Sequence, residues 1–358
     1  MTTLSRVARA DRVVESLRER ELDSLLVTDL VNVRYLTGFT GTNGACVVTP
    51  DERLFLTDFR YVSQAEEQVR DFERLPAGRE LASDLAEHLR GRAGFDDAHL
   101  TVRAHRRLSE KAGEGIELVA AGGLVERLRE VKEAGELERI GEAAKLATAA
   151  LEETLGHGLA GRTERDFAWE LEQALREGGA EGPSFPPIVA AGAHGALPHA
   201  EPREVEIPRG TLVVIDWGAR LEGYCSDCTR TIATGELGGA AKDVYELVRR
   251  SQAEALAAVR AGAEKRAVDG VARGIIDEAG HDEHFGHGLG HGVGLEVHEE
   301  PRLTKQAKGE LVTGNVVSVE PGVYLPGELG VRIEDLVAVT DDGAEVLTSF
   351  PKQLTTVE

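Results

Sequence analysis

The sequence predicts two domains, an α/β domain over residues 1–125 and an α+β domain over residues 126–358. Three observations carry this expectation. A length of 358 residues exceeds one ordinary domain and suits two. Helix-like and strand-like patterns alternate through the first third of the chain. Behind a long charged helix, the pattern beyond residue 185 changes to strands and glycine-rich turns.

Taken in order, residues 5–20 read as an amphipathic helix, followed by a buried strand over Asp23–Thr28. Val31–Thr42 (VNVRYLTGFTGT) reads as a glycine-punctuated loop. Strands follow at Ala45–Val48 and Arg53–Thr57. Helices near Val62–Arg70 and Glu80–Arg90 then alternate with short strands near Phe72 and Gly94. Leu128–Leu155 opens the second domain as one helix, with Leu137, Ile140, Ala144 and Ala147 at helical spacing. A helix over Thr163–Glu177 stops at Gly178-Gly179. Two more helices are expected near Lys242–Ala261 and Arg266–Ala279.

With 41% hydrophobic and 29% charged residues the chain can bury ample cores. No apolar run reaches membrane-spanning length, and Met1–Arg20 lacks the apolar block of a secretion signal, so a cytoplasmic protein with no membrane partner is expected. The formal charge of -22 argues against a nucleic-acid partner, because phosphates would be repelled. Cys46, Cys225 and Cys228 do not make a disulfide framework. Cys225-x-x-Cys228 has redox or half-zinc spacing, but no second pair exists and it lies within a strand pattern. Both are read as small packing residues.

Glycine takes every second position from 286 to 294, with His287 and His291 between the glycines. So much glycine forbids a stable helix, at about 1 kcal/mol each. In extended form His287, Leu289, His291 and Val293 share one face, and the bare opposite face admits a close approach to the backbone. Taken alone, the stretch is equally well a flexible loop.

Carboxylates flank it. Thr211–Ala219 (TLVVIDWGA) is an apolar strand interrupted by Asp216, and Tyr224–Ala233 carries Asp227. A turn centred on Leu221-Glu222 would set Asp216 directly opposite Asp227, with Cβ atoms about 5 Å apart. The construction recurs where Val316–Glu320 ends in a carboxylate and Val331–Val339 carries Glu334; a turn centred on Gly327 sets Glu320 opposite Glu334. Facing carboxylates repel unless one is protonated or a cation sits between them. Four carboxylates and one imidazole suit two divalent ions about 3.5–4 Å apart, a pair that activates water and polarises a carbonyl.

These motifs resemble those of the pita-bread metallopeptidases, specifically the Xaa-Pro branch of aminopeptidase P and prolidase. The resemblance is strong over residues 128–350 and diffuse before them. It implies a creatinase/prolidase-like α/β N-terminal domain and an α+β pita-bread catalytic domain. In that family the ligands are a D-x(10)-D pair, the second histidine of HGxGH, the glutamate of VEPG and that of RIED, which fall on Asp216, Asp227, His291, Glu320 and Glu334. The resemblance further implies that His199 of Leu197-Pro198-His199 and His298 of Val297-His298-Glu299 contact substrate and assist catalysis. His287 would assist near the metals, and Arg332 would stand near the substrate. Strand parity sets His298 opposite to His291, so a bulge or turn must lie between them. Where the family often has asparagine before its Leu-Pro-His turn this chain has His194, which is expected to alter substrate contacts.

The implied reaction is hydrolysis of a small peptide between its first residue and a proline at position two, with Glu320 moving the proton. Arg302 matches an arginine that binds a free carboxylate in compact prolidases, which tilts the reading from Xaa-Pro aminopeptidase toward Xaa-Pro dipeptidase. Manganese leads the expected metals, ahead of cobalt, zinc or iron, and a homodimer is implied. The other readings are a methionine-aminopeptidase-like enzyme and a non-catalytic pita-bread binding module. The first domain's size argues against the former, and the full ligand set against the latter.

Overall fold

The computed structural model describes residues 6–358; the first residue of the expected 5–20 helix lies outside them. The chain divides into two compact units, one reaching Arg129 and one running from Glu130 to Glu358.

The first part contains α1 (Arg6–Glu19), β1 (Ser24–Val27), α2 (Leu30–Thr37), β2 (Gly44–Val48), β3 (Arg53–Thr57) and α3 (Val62–Gln68). It continues with β4 (Glu73–Pro76), α4 (Leu81–Leu85), β5 (Arg92–Phe95), α5 (Val102–Lys111), β6 (Glu117–Ala120) and α6 (Leu124–Glu130). The six strands form one mixed sheet in the order β4-β3-β2-β1-β5-β6. α5 and β6 add to the elements expected from sequence. The segment expected to be a loop over Val31–Thr42 is instead helical to Thr37. Asp29 caps it by accepting from the Asn32 amide at 3.0 Å, and Gly38 ends it at φ 81°. Its β-branched and aromatic residues are poor helix formers, but Val33, Tyr35 and Leu36 are buried, and packing overrides propensity.

The second part contains α7 (Ala134–Gly156), α8 (Glu164–Glu177), β7 (Gly182–Pro183), β8 (Ile188–Ala191), β9 (Leu212–Trp217), β10 (Ala219–Leu221), β11 (Tyr224–Cys225) and β12 (Cys228–Ala233). Then come α9 (Gly239–Ala258), α10 (Lys265–Glu278), β13 (Gly290–Gly292), β14 (Glu299–Leu303) and β15 (Val316–Val319). The last strands are β16 (Gly322–Leu325), β17 (Leu329–Arg332), β18 (Asp335–Val339) and β19 (Ala344–Val346). The single helix expected over Leu128–Leu155 is broken between Glu130 and Ala134. Glu133 and Glu136 form a capping box that starts α7, and the Lys132 amide donates to Gly314 O at 2.8 Å.

Two helix pairs each cover one sheet. α7 and α8 bury Val213, Ile215 and Trp217 of β9 together with Cys228 and Ile232 of β12. α9 and α10 bury Val317 and Val319 of β15 with Val331, Ile333 and Val337. Each such side chain contributes about 1.5–3 kcal/mol by leaving water. Because strands alternate, this burial turns Asp216, Thr229, Ser318, Arg332 and Glu334 to the opposite faces. The hydrophobic pattern thereby places the polar site.

The bare face of the glycine stretch is filled by neighbouring backbone. A Cβ on Gly290 would lie 1.9 Å from Ser318 O, and one on Gly292 would lie 2.2 Å from Glu300 O. β13 can therefore sit between β14 and β15 only with glycine at positions 290 and 292. Gly290→Ala is expected to destabilise the fold by about 3 kcal/mol, at the upper end of overpacking costs. Urea unfolding measures it; a change below about 1 kcal/mol would mean that β13 moves aside freely.

Candidate active site

The two carboxylate hairpins differ in how they meet the expected registers. The first turn is centred on Glu222-Gly223, with φ of 48° and 86°, not on Leu221-Glu222. Positive φ at both central residues is the primed hairpin turn that matches strand twist. Asp216 consequently pairs with Thr229, and Asp227 is its diagonal neighbour. A slip of two residues keeps every side chain on its face, so both aspartates still point the same way. In the second hairpin Val319 pairs with Asp335 and Gly322 with Arg332, which brackets Glu320 opposite Glu334 as expected.

A register shift lies between Gly290 and Gly292, followed by a bend over residues 294–298. This is the irregularity that strand parity demanded. It brings the His298 ring edge-on to the His291 ring, with centroids 4.3 Å apart.

Asp216, Asp227, His291, Glu320 and Glu334 converge on one cavity of about 450 Å³, which His199, His287, His298, Arg302 and Arg332 also line. His291 Nε2 lies 3.2 Å from Glu320 Oε1 and 3.6 Å from Asp227 Oδ2. Its Nδ1 stands 3.1 Å from the Gly292 carbonyl; donation there would leave the Nε2 lone pair free for a cation bound among the carboxylates. Ligand atoms of Asp227, His291 and Glu334 all lie within 4.8 Å of one another.

Among the described residues, the buried cavity oxygens Asp216 Oδ1 and Glu334 Oε1 meet no hydrogen-bond donor. Orphaned buried acceptors are rare and costly, and a hard divalent cation satisfies them. The donor set of carboxylate oxygens and one imidazole nitrogen fits such ions.

The electrostatics point the same way. Burial first, then the charges of Glu334, Asp216 and Glu320, push the Asp227 carboxyl well up. Burial and the charges of Glu320 and Asp216 do the same to Glu334. Asp216 is also raised by burial, moderated by Arg332. Glu320 is the exception: burial opposes ionisation, but the hydrogen bond and charge of His291 outweigh it and hold Glu320 at about 2. His298 is lowered to about 4 by burial and by the nearby His291 and Arg302. It is therefore a neutral ring at pH 7.

Several partners have no signal in the sequence. Arg332 donates to Asp216 Oδ2 at 2.7 Å, to Thr229 Oγ1 at 2.9 Å, to Tyr324 Oη at 2.9 Å and to Pro198 O at 3.1 Å. All three guanidinium nitrogens are thus engaged by protein acceptors. Tyr324 Oη lies 2.9 Å from His287 Nε2, so a chain runs Asp216–Arg332–Tyr324–His287. Thr229 Oγ1 donates to Glu334 Oε2 at 2.8 Å. His194, expected to alter substrate contacts, instead lies 2.9 Å from the buried carboxylate of Glu164 and is not among the cavity walls. Cys225 and Cys228 are buried free thiols, raised by desolvation, as their reading as packing residues requires.

A family model described as metallopeptidase family M24 matches residues 138–341, and one described as the creatinase/prolidase N-terminal domain matches residues 9–131. The Xaa-Pro dipeptidase of Pyrococcus furiosus is 33% identical over 349 residues, 97% of this chain and 99% of its own. Among solved structures, an Xaa-Pro dipeptidase from Bacillus anthracis is similar at a TM-score of 0.95 and 38% identity. It covers 98% of this chain and 100% of that one. An X-Pro aminopeptidase from Thermotoga maritima gives a TM-score of 0.89 and 34% identity, covering 98% of this chain and 100% of that one. With more than half of the chain matched by its model, and relatives of this likeness along nearly the whole length, the protein belongs to metallopeptidase family M24, its catalytic domain preceded by a creatinase/prolidase N-terminal domain.

Proposed function

We propose that this protein is a metal-dependent Xaa-Pro peptidase, acting as a dipeptidase on the bond between a first residue and proline. The observation that carries the proposal is the convergence of Asp216, Asp227, His291, Glu320 and Glu334 on one cavity, with two carboxylate oxygens left orphaned. These five residues would hold two divalent ions, manganese first among them. Bound there, the ions supply an activated water and a polarised carbonyl.

The chain's own residues do the rest. An X-Pro bond has no amide N–H, so its nitrogen must gain a proton to leave. Glu320, ionised and with its side chain 16% exposed, takes a proton from water and delivers it to that nitrogen. His298, a neutral ring against His291, donates to the carbonyl oxygen as charge develops on it. His199, lining the same cavity, holds the substrate, and Phe185, Pro186, Pro187 and Ile188 offer an apolar surface to the proline ring. Arg332 positions Asp216, its guanidinium being fully engaged there. Arg302 lines the cavity and would pair with the free carboxylate of a dipeptide.

Steady-state cleavage of Ala-Pro and Ala-Pro-Ala by manganese-loaded protein tests this reading. Arg302→Ala is expected to raise KM for Ala-Pro by about 10–100-fold, the value of one charge-assisted hydrogen bond, with little change for the tripeptide. Equal KM for Ala-Pro in both proteins removes Arg302 from carboxylate recognition. Preferred cleavage of the tripeptide makes the protein an aminopeptidase, like the similar X-Pro aminopeptidase from Thermotoga maritima. No metal-dependent cleavage of either peptide sinks the peptidase reading.

A further inference from the structure

His199 reaches the cavity from the segment between β8 and β9, which has little regular structure beyond one short 3₁₀ turn at Gly192–Ala196. Something must hold such a segment, because ordering each residue costs about 1–2 kcal/mol of backbone entropy. Glu164, the first residue of α8, is fully buried and gathers the two ends of the stretch from Ala191 to Arg203 to one carboxylate. Its Oε1 accepts from the Ala191 amide at 2.9 Å, at the end of β8. Three residues further on, His194 Nδ1 lies 2.9 Å from Oε2 and 3.0 Å from Oε1. At the far end Oε2 accepts from the Arg203 amide at 3.0 Å and from Arg203 Nε at 3.1 Å, while Oε1 accepts from Arg203 NH2 at 3.1 Å.

The residues closed into this loop include Pro198, His199, Ala200, Glu201 and Pro202, all of them cavity walls. The tip is tied separately, where Arg332 donates to Pro198 O. We propose that Glu164, acting through the loop from Ala191 to Arg203, fixes where His199 stands in the cavity and is a positioning residue for substrate binding. This rests on the function proposed above. His194 then belongs to the same device: it is a second tether close to the loop's first end, and it is not among the cavity walls.

Glu164→Gln keeps the shape of the side chain but turns an amide NH2 toward donors that need an acceptor. Amide hydrogen exchange on the manganese-loaded protein reads the loop without catalysis. Residues 192–202 are expected to exchange at least about tenfold faster in the variant, with β9 and β12 unchanged. In the same protein KM for Ala-Pro is expected to rise about fivefold or more, while kcat and bound metal stay within about threefold. Adding His199→Ala to Glu164→Gln is expected to raise KM by less than it does alone, because the two act on one interaction.

Unchanged exchange over 192–202 overturns the proposal, whether or not the unaltered protein cleaves Ala-Pro. So does faster exchange with an unchanged KM, which would make Glu164 structural only. Failure of the unaltered protein to cleave either peptide fells the functional reading alone, and the exchange comparison still decides whether Glu164 holds the loop. If Glu164→Gln does not fold, His194→Ala is expected to loosen the same amides, and His194→Gln, which retains a donor toward Glu164, to restore them. Loosening by both alike, or by neither, counts against the tether.

Discussion

Glutamine in place of Glu320 is expected to lower kcat on Ala-Pro by about 10²–10⁴-fold, the range for loss of a proton-transfer group, with a much smaller change in KM. Glu320 lies just beyond β15, where Ser318 Oγ donates to its Oε1 at 3.0 Å. The amide oxygen of glutamine can keep that hydrogen bond, so the side chain stays in place. What is lost is the ability to accept a proton from water and return it to the proline nitrogen. Glu320 is also one of the five proposed ligands, and a neutral amide binds a divalent ion more weakly. Metal content must therefore be measured with the kinetics. The metal-free variant is expected to be somewhat less stable than the parent at pH 7, because the fold favours the ionised form of Glu320 and glutamine removes that charge. A fully loaded, folded variant that keeps more than about a tenth of the parental kcat would assign the proton transfer elsewhere.

What the sequence made legible follows from strand periodicity. Asp216 interrupts an apolar run, and in a strand buried against helices every second residue faces the other way, so one carboxylate in that run is a placed group. The same logic recovered Glu320 and Glu334. The aspartate register was read two residues off, although Glu222-Gly223 carried the turn signal; the even slip spared the face but not the partner. α2 was hidden because its hold comes from an aspartate cap and from burial, neither of which shows in helix propensity. Thr229, Tyr324 and Glu164 were hidden for a different reason. Thr229 meets Glu334 across 105 positions of chain, and Glu164 meets Arg203 across 39. No local pattern encodes which strand or loop a polar side chain will find. His298 stands between these cases: parity announced that an irregularity was needed, and only the coordinates place it between Gly290 and Gly292.

Stripping the divalent ions is expected to lower the thermal midpoint of the protein, and by more at pH 8 than at pH 5. At 100 times its dissociation constant a ligand specific to the folded state adds about 2.7 kcal/mol. For a unit of this size that is about 5–10 °C. The pH dependence comes from the carboxylates. Asp227 and Glu334 are raised well above their ordinary values by burial and by each other's neighbours. The folded, metal-free chain therefore binds more protons than the unfolded chain, whose carboxyls titrate near about 4. Its stability from these groups is complete below that value and is lost as pH rises toward the raised folded values. Divalent ions reverse the penalty by replacing the protons, so they compete with protons at pH 5 and not at pH 8. Thermal unfolding of chelator-treated and manganese-loaded protein at both pH values makes the comparison. A difference that stays constant or shrinks as pH rises would mean that Asp227 and Glu334 are already ionised in the metal-free fold. The cluster's negative charge would then be offset in the metal-free fold by Arg332, Thr229 and His291.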